Sequence, residues 1–182
     1  MVDLTSDVVW NEMAAANFMV VGMVTARGEA RTVGVMHAVH DGRVWFTTDG
    51  RSWKARHLAA HPRVSVTVAI PKRVPLMPWI KVPAATITFA GEAEFLPVEA
   101  MAPEVERALL HGLDLPEEEL EALAVVAIRP TGDFITYGIG VSVLGMRNAE
   151  LAHGRVAVGA GDVSAGSGAE AGADRTPADV AA

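Results

Sequence analysis

Short apolar runs separated by turn residues fill most of this chain. They are rich in Val, Ile, Thr and aromatic residues, and "RVSVTVAI" (63–70) alternates polar and β-branched positions as a half-buried strand does. Asp41-Gly42 is the signature of a tight hairpin that pairs the third strand back on the second. The pattern predicts strands at 18–25, 31–39, 44–48, 63–70, 84–96, 124–130 and 133–143, with a bulge or bend at Gly91.

Helices are predicted only as short segments between these strands. Residues 6–17 start at a cap formed by Ser6 or Asp7, and 52–60 end before Pro62, because a residue that precedes proline avoids the α region. Two acidic segments, 97–112 and 116–123, have helical composition. Sequential strands linked by hairpins favour a small, mainly β (α+β) antiparallel barrel over a parallel α/β sheet.

Two segments lie outside this pattern. Residues 71–83 contain four prolines and predict a long apolar loop of functional or disordered character, whereas 159–182 are small, polar and aperiodic. We therefore expect one folded domain at 1–158 and a disordered, dispensable tail at 159–182.

Composition excludes several classes of function. The net charge of −7 argues against a general nucleic-acid binder, and no apolar run approaches the length of a membrane span. The N-terminus lacks the pattern of a signal peptide, and the chain has no cysteine, so disulfides and thiolate metal sites are excluded. These features predict a soluble cytoplasmic domain without a metal site.

Charge is strongly segregated along the chain. From Gly50 to Gly91 there are seven Lys and Arg and no acid, while residues 92–121 carry ten acids and one Arg. The cations begin at a strand-to-helix corner, "TTDGRSWKAR" (47–56), where free backbone N–H groups and the helix dipole attract phosphate. The alternative is that Lys54 and Arg56 lie on a solvated helix face and that Ser52 acts only as a helix cap.

The same stretch resembles a known family. In order, "VTARGEARTVGV", "HDGRVWFTT", "SWKARHL" and "HPRVSVTV" are similar to the cofactor-binding core of the pyridoxamine 5′-phosphate oxidase-like split β-barrels, which include flavin- and deazaflavin (F420)-dependent oxidoreductases. The resemblance is close over 18–96 and loose over 124–140. It implies a six- to seven-stranded antiparallel split β-barrel with short peripheral helices, and a homodimer with the cofactor at the subunit interface.

Residue roles follow from this resemblance. Lys54 matches the lysine that grips the cofactor phosphate, and Thr86 falls where the partner subunit contributes a polar group. Many relatives have an arginine where this chain has Trp53, and Arg51 is expected to supply that positive charge instead. The C-terminal signature of the true pyridoxamine phosphate oxidases is missing. The implied cofactor-binding residues are Arg31, Thr32, Val33, Met36, Phe46, Thr47, Thr48, Arg51, Ser52, Lys54 and Thr86.

Two functions remain open at this stage. The first is an oxidoreductase that uses bound FMN, or alternatively F420, on a small organic substrate. The second is a non-catalytic barrel that carries flavin, haem or an apolar ligand. No catalytic residue is assigned: His37 and Tyr137 have site or structural interpretations, and Trp79 can cover a planar ring or pack in a dimer interface.

Overall fold

A computed structural model describes residues 4–72, 82–110 and 116–159 of the chain. The strands form one antiparallel sheet. The sheet curls into a half-barrel with a few short helices around it, which confirms the predicted fold class. Among the described residues, no helix has the length and apolar character that crossing a membrane requires.

Except at the segment 31–39, the strand bounds follow the predicted pattern closely in the first half of the chain. They are β1 Phe18–Val24, β2 Ala30–Met36, β3 Ala38–His40, β4 Arg43–Asp49, β5 Arg63–Ile70, β6 Ala85–Leu96, β7 Leu123–Tyr137 and β8 His153–Ala157. Their order in the sheet is β2-β1-β5-β6-β7-β4-β3, and β8 pairs with β7.

The helices are short. They are α1 Ser6–Ala15, α2 Trp53–Ala60, α3 Pro103–Leu110, α4 Glu117–Glu121 and α5 Ala149–Ala152, with 3₁₀ turns at Val98–Ala100 and Gly145–Arg147. The cap of α1 is Thr5 rather than Ser6 or Asp7: Thr5 is extended, and its hydroxyl accepts the N–H of Val8 at 3.5 Å.

The main core lies on the inner face of the half-barrel. Alternate residues of β1, β5 and β6 point inward and are fully buried, because side chains of a strand alternate between its two faces. Phe134 is central: its ring meets Trp10 of α1 edge-on at 5.2 Å and Phe89 at 5.5 Å. Burial of these three rings holds α1 against the sheet.

A second apolar layer covers the opposite face of β4 and β7. Trp45 and Val125 pack there with Val105 and Leu109 of α3. This layer explains why only one side of α3 faces water.

The predicted strand pattern was wrong in several respects. The segment 31–39 breaks at His37, so that β2 pairs with β1 while β3 forms the Asp41-Gly42 hairpin with β4. The predicted strands 124–130 and 133–143 merge into one strand, β7, which ends at Tyr137, so residues 138–143 are not part of a strand. Nothing in the pattern indicated β8. The register shift of β6 lies between Thr88 and Ala90 rather than at Gly91.

Gly91 itself is required by close packing. A Cβ there would lie 2.6 Å from a methyl group of Ile128 and 3.0 Å from the Arg129 carbonyl oxygen. The predicted tail and most of the proline-rich loop, residues 160–182 and 73–81, lie outside the described residues.

Candidate anion and cofactor site

The strand-to-helix corner forms where β4 ends at Asp49. Ser52 caps α2 as predicted: it is extended, and its Oγ accepts the N–H of Ala55 at 3.2 Å. The Thr48 hydroxyl lies 3.4 Å from Ser52 Oγ, and Thr48 is only 6% exposed. The two hydroxyls therefore sit side by side at the start of the helix.

Lys54 occupies the first turn of α2 and is half-buried. No acid among the described residues forms a salt bridge with it. The Ala55 and Arg56 N–H groups are taken by the side chain and the carbonyl of Ser52, so those of Trp53 and Lys54 are the ones that can meet a ligand. An ammonium group, two N–H groups and the helix dipole together favour a phosphate at this corner.

Arg51 comes just before Ser52 in the chain and has acidic neighbours. Its N–H donates to Asp49 Oδ1 at 2.8 Å, and it lines a cavity of about 480 Å³ together with Asp49, Glu118 and Glu119. Folding thus brings carboxylates of the acid-rich segment next to a cation of the acid-free one. The surroundings of Arg51 are acidic, unlike those of Lys54.

Three of the predicted residues lie on the outer face of the sheet. Thr32 and Met36 point outward from β2, and Thr86 points outward from β6. Strands β1 and β5 separate β2 from β6, which puts Thr86 three strand spacings, or about 14 Å, from β2. Within one chain, Thr86 is therefore remote from the other two.

The remaining predicted residues divide between the faces. Phe46 is fully buried in the main core, and Val33 packs against it. Thr47 points to the other face of β4. Phe46 itself is 0% exposed, whereas Thr47 and Thr48 direct their side chains to opposite faces of β4.

Arg31 lies beside the middle of α2, where it shares a cavity with Arg56 and His57. Its guanidinium donates to Glu29 at 3.1 Å, and it lines a cavity of about 450 Å³ with Arg27, Arg56 and His57. Sequence reasoning did not assign Arg27 or His57 to the cofactor, and it considered Arg56 only as a further cation of the strand-to-helix corner. The acid-free window included Arg56, but the approach of the β1–β2 turn to α2 depends on tertiary packing.

His37 points inward and is 4% exposed. Its Nε2 lies 3.0 Å from the Met13 carbonyl oxygen, which can only accept, so Nε2 carries the proton. Burial lowers the pKa of His37 below its ordinary value of 6.5, against a smaller opposing effect of the hydrogen bond. This side chain ties α1 to the sheet and is directed away from the outer face.

Tyr137 is also held by a backbone carbonyl. Its hydroxyl donates to the Met146 oxygen at 2.8 Å, and its ring packs against His153 at 5.4 Å. These contacts favour the structural interpretation of this residue. Among the described residues, no three His, Cys, Asp or Glu side chains are grouped to hold a metal ion, and Trp79 lies outside those residues.

Comparison with known proteins identifies a family model that the chain matches. The family model described as pyridoxamine 5′-phosphate oxidase matches residues 9–131, more than half of the chain. A search of curated proteins finds no match.

Several solved structures share the fold. The haem-binding protein of Mycobacterium smegmatis superposes with a TM-score of 0.60 at 17% identity, covering 84% of this chain and 57% of that one. A putative pyridoxamine 5′-phosphate oxidase of Listeria innocua gives 0.53 at 14%, covering 69% and 92%. A FAD-binding protein of Mesorhizobium loti gives 0.51 at 16%, covering 66% and 85%. The chain thus spans little more than half of the haem-binding protein, and at these identities the likeness concerns the fold alone.

Proposed function

The chain belongs to the pyridoxamine 5′-phosphate oxidase family, and we propose that it is an oxidoreductase that binds FMN or the deazaflavin F420 and acts on a small organic substrate. The observation that carries this proposal is the corner formed by Thr48, Ser52 and Lys54. We further propose the cytoplasm as its compartment, where a chain without cysteine needs no oxidising environment.

The residues at the corner fit the phosphate of such a cofactor. Lys54 supplies a cation that no described acid neutralises, and the first turn of α2 supplies two backbone donors. A carrier of purely apolar ligands needs none of these groups. The fit therefore favours a phosphorylated ligand over an unphosphorylated one.

The bound cofactor would supply the redox chemistry, while the protein fixes and shields it. Lys54 and Ser52 would hold the phosphate, and Thr32 and Met36 would border the ring system on the outer face of β2. β2 and β4 approach each other where the sheet curls, so residues of both strands can line one cleft.

We also propose that two copies of the chain associate through the outer face of the sheet. That face exposes Phe18, Met36 and Ile135, with exposed fractions of 49%, 57% and 45%. Such apolar exposure is typical of an interaction surface. Thr86 lies about 14 Å from β2 of its own chain; a second copy packed on this face can bring its own Thr86 to the cofactor.

The second candidate is a barrel that carries haem or another ligand without turnover. The haem-binding protein with the same fold is the observation that favours it. In this chain, however, the one histidine buried among the described residues is His37, whose Nε2 faces the Met13 carbonyl. Haem binding would therefore require an iron ligand other than His37.

A titration with FMN, F420 and haem tests the proposal. Wild type should bind FMN or F420, as read from the visible absorption spectrum. Lys54→Ala removes a charge-assisted bond worth about 1.5–3 kcal/mol, so affinity should fall about ten- to hundredfold. Lys72→Ala, in the same acid-free segment, is the matched control and should bind as wild type.

Two results would contradict the proposal. If Lys54→Ala binds the cofactor as tightly as wild type, the corner is only a solvated helix start. If haem binds and neither FMN nor F420 does, the carrier interpretation replaces the enzyme. If FMN or F420 binds, turnover is tested by following reduction or oxidation of the bound cofactor with candidate substrates.

A further inference from the structure

A second cationic cavity lies between the β1–β2 turn and α2. Its volume is about 450 Å³, and its ionisable lining consists of Arg27, Arg31, Arg56, His57 and Glu29. Three arginines against one glutamate give a formal charge of 3 − 1 = +2 with the histidine neutral. This is notable in a chain whose net charge is −7.

The turn that carries Arg27 is well defined. Thr25 is 6% exposed, and its Oγ1 accepts the N–H groups of Arg27 at 3.2 Å and Glu29 at 3.1 Å. Gly28 donates to the Thr25 carbonyl at 2.8 Å and adopts a φ of 79°, which a side chain would disfavour. The backbone of Arg27 is therefore positioned by the hydrogen-bonded turn at 25–29.

The single acid of the cavity is already engaged. Glu29 pairs with Arg31 at 3.1 Å, and no described acid forms a salt bridge with Arg27 or Arg56. Like charges held around one cavity repel each other, and a bound anion removes that repulsion. Arginine is suited to the task because its planar fork can hold phosphate or carboxylate through two bonds.

The position of the cavity relates it to the first anion site. His57 follows Lys54 by three residues on α2, which is close to one helical turn of about 5.4 Å. Its ring also packs against Trp53, at 5.7 Å between centroids. A ligand whose phosphate sits at Lys54 can thus reach the cavity with a second anionic group.

We propose that this cavity is a second anion subsite, which binds an anionic group carried beyond the first phosphate of an extended cofactor through Arg27 and Arg56. The inference rests on the proposed function. FMN has one phosphate and leaves the subsite unused, whereas the diphosphate of FAD and the carboxylated tail of F420 both offer a further anion. The subsite therefore selects a longer cofactor over FMN.

The test compares wild type with the double variant Arg27→Ala/Arg56→Ala, titrated with FMN, FAD and F420. We expect the double variant to bind FAD or F420 at least about tenfold more weakly, since it loses charge-assisted bonds. Binding of FMN should stay within about threefold. Whichever of the longer cofactors loses affinity identifies the anion. Arg107→Ala, at an exposed arginine on the acidic helix α3, is the control for loss of a distant surface cation and should change nothing.

The outcomes separate this inference from the proposed function. If the double variant loses FMN affinity equally, the cavity holds the first phosphate and the second subsite does not exist. If no affinity changes while Lys54→Ala still weakens binding, the inference fails and the proposed function stands.

A probe that needs no cofactor covers the remaining case. If wild type binds none of the three, the proposed function fails, and inorganic pyrophosphate followed by amide NMR decides about the cavity. Shifts at Arg27 and Arg56 that vanish in the double variant support an anion subsite. A spectrum that pyrophosphate leaves unchanged overturns it.

Discussion

The two faces of the central strands differ in a way that separates stability from function. Inward-facing residues of β1, β5 and β6 are buried and apolar, and they pack against α1. The outer face combines exposed Phe18 and Met36 with Thr67 and Thr88, whose hydroxyls lie 3.3 Å apart across β5 and β6. The inner face is a complete core, whereas the outer face has the mixture of apolar and hydrogen-bonding groups that an interface uses.

The strongest test of this comparison uses two neighbouring residues of β7. Phe134 is fully buried and Ile135 is 45% exposed on the opposite face. Phe134→Ala should lower the free energy of unfolding by about 3–5 kcal/mol, because it leaves a cavity between Trp10 and Phe89. Ile135→Ala should cost below about 1 kcal/mol when the chain is monomeric. Urea unfolding at low protein concentration measures both, and equal losses would mean that the faces do not differ.

The second test concerns association through the outer face. Phe18→Lys places a charge on the exposed ring position without entering the core, so the proposed dimer should dissociate while the monomer stays folded. Sedimentation should show wild type near twice the chain mass of 19.1 kDa and the variant near that mass itself. Leu120→Lys, at a residue 42% exposed on α4, is the control and should remain dimeric. A monomeric wild type at micromolar concentration would remove the proposed interface.

Much of the fold was predictable because local patterns determine it. β5 alternates, Ser52 is a helix cap, and Asp41-Gly42 adopts positive φ at both positions, as a tight hairpin requires. The continuity of β7 was hidden because Pro130 and Gly132 indicate a turn. In the sheet, Pro130 pairs with Gly91. The additional residues of β7 form an irregularity opposite the register shift of β6, so that β7 continues as one strand.

The site was less predictable than the fold. Ser52 and Lys54 lie within one segment, and a single helix start is enough to bring them together. The positions of Arg51 and Arg27 depend instead on packing between distant segments, with α4 beside one and α2 beside the other. Sequence distance does not encode such contacts, so charge counts alone do not indicate which cations line the same cavity.

A third, smaller effect is the pH dependence of stability, to which the buried His37 should contribute and the exposed histidines should not. Since burial lowers its pKa in the folded chain, the unfolded chain binds the extra proton first. The free energy of unfolding should therefore decrease as the pH falls below about 6.5, by up to about 1.4 kcal/mol per pH unit, until the folded chain also takes up the proton. His37→Gln should remove this part of the pH dependence in urea unfolding between pH 8 and pH 5. His61→Gln, at an exposed position, should keep it; an unchanged slope in His37→Gln would show that His37 does not titrate on unfolding.

The smallest expected effect is that of the ion pair Arg43–Glu94, with an N–O distance of 3.2 Å. The Glu94 side chain is 50% exposed and the Arg43 side chain 32% exposed, so water and salt screen their attraction. A double-mutant cycle with Arg43→Ala and Glu94→Ala should give a coupling of about 0.2–1 kcal/mol that shrinks in 1 M salt. A coupling above about 2 kcal/mol that is insensitive to salt would place this pair in a core-like environment. The difference in stabilisation between this ion pair and Phe134 would then depend on position along the sheet rather than on burial.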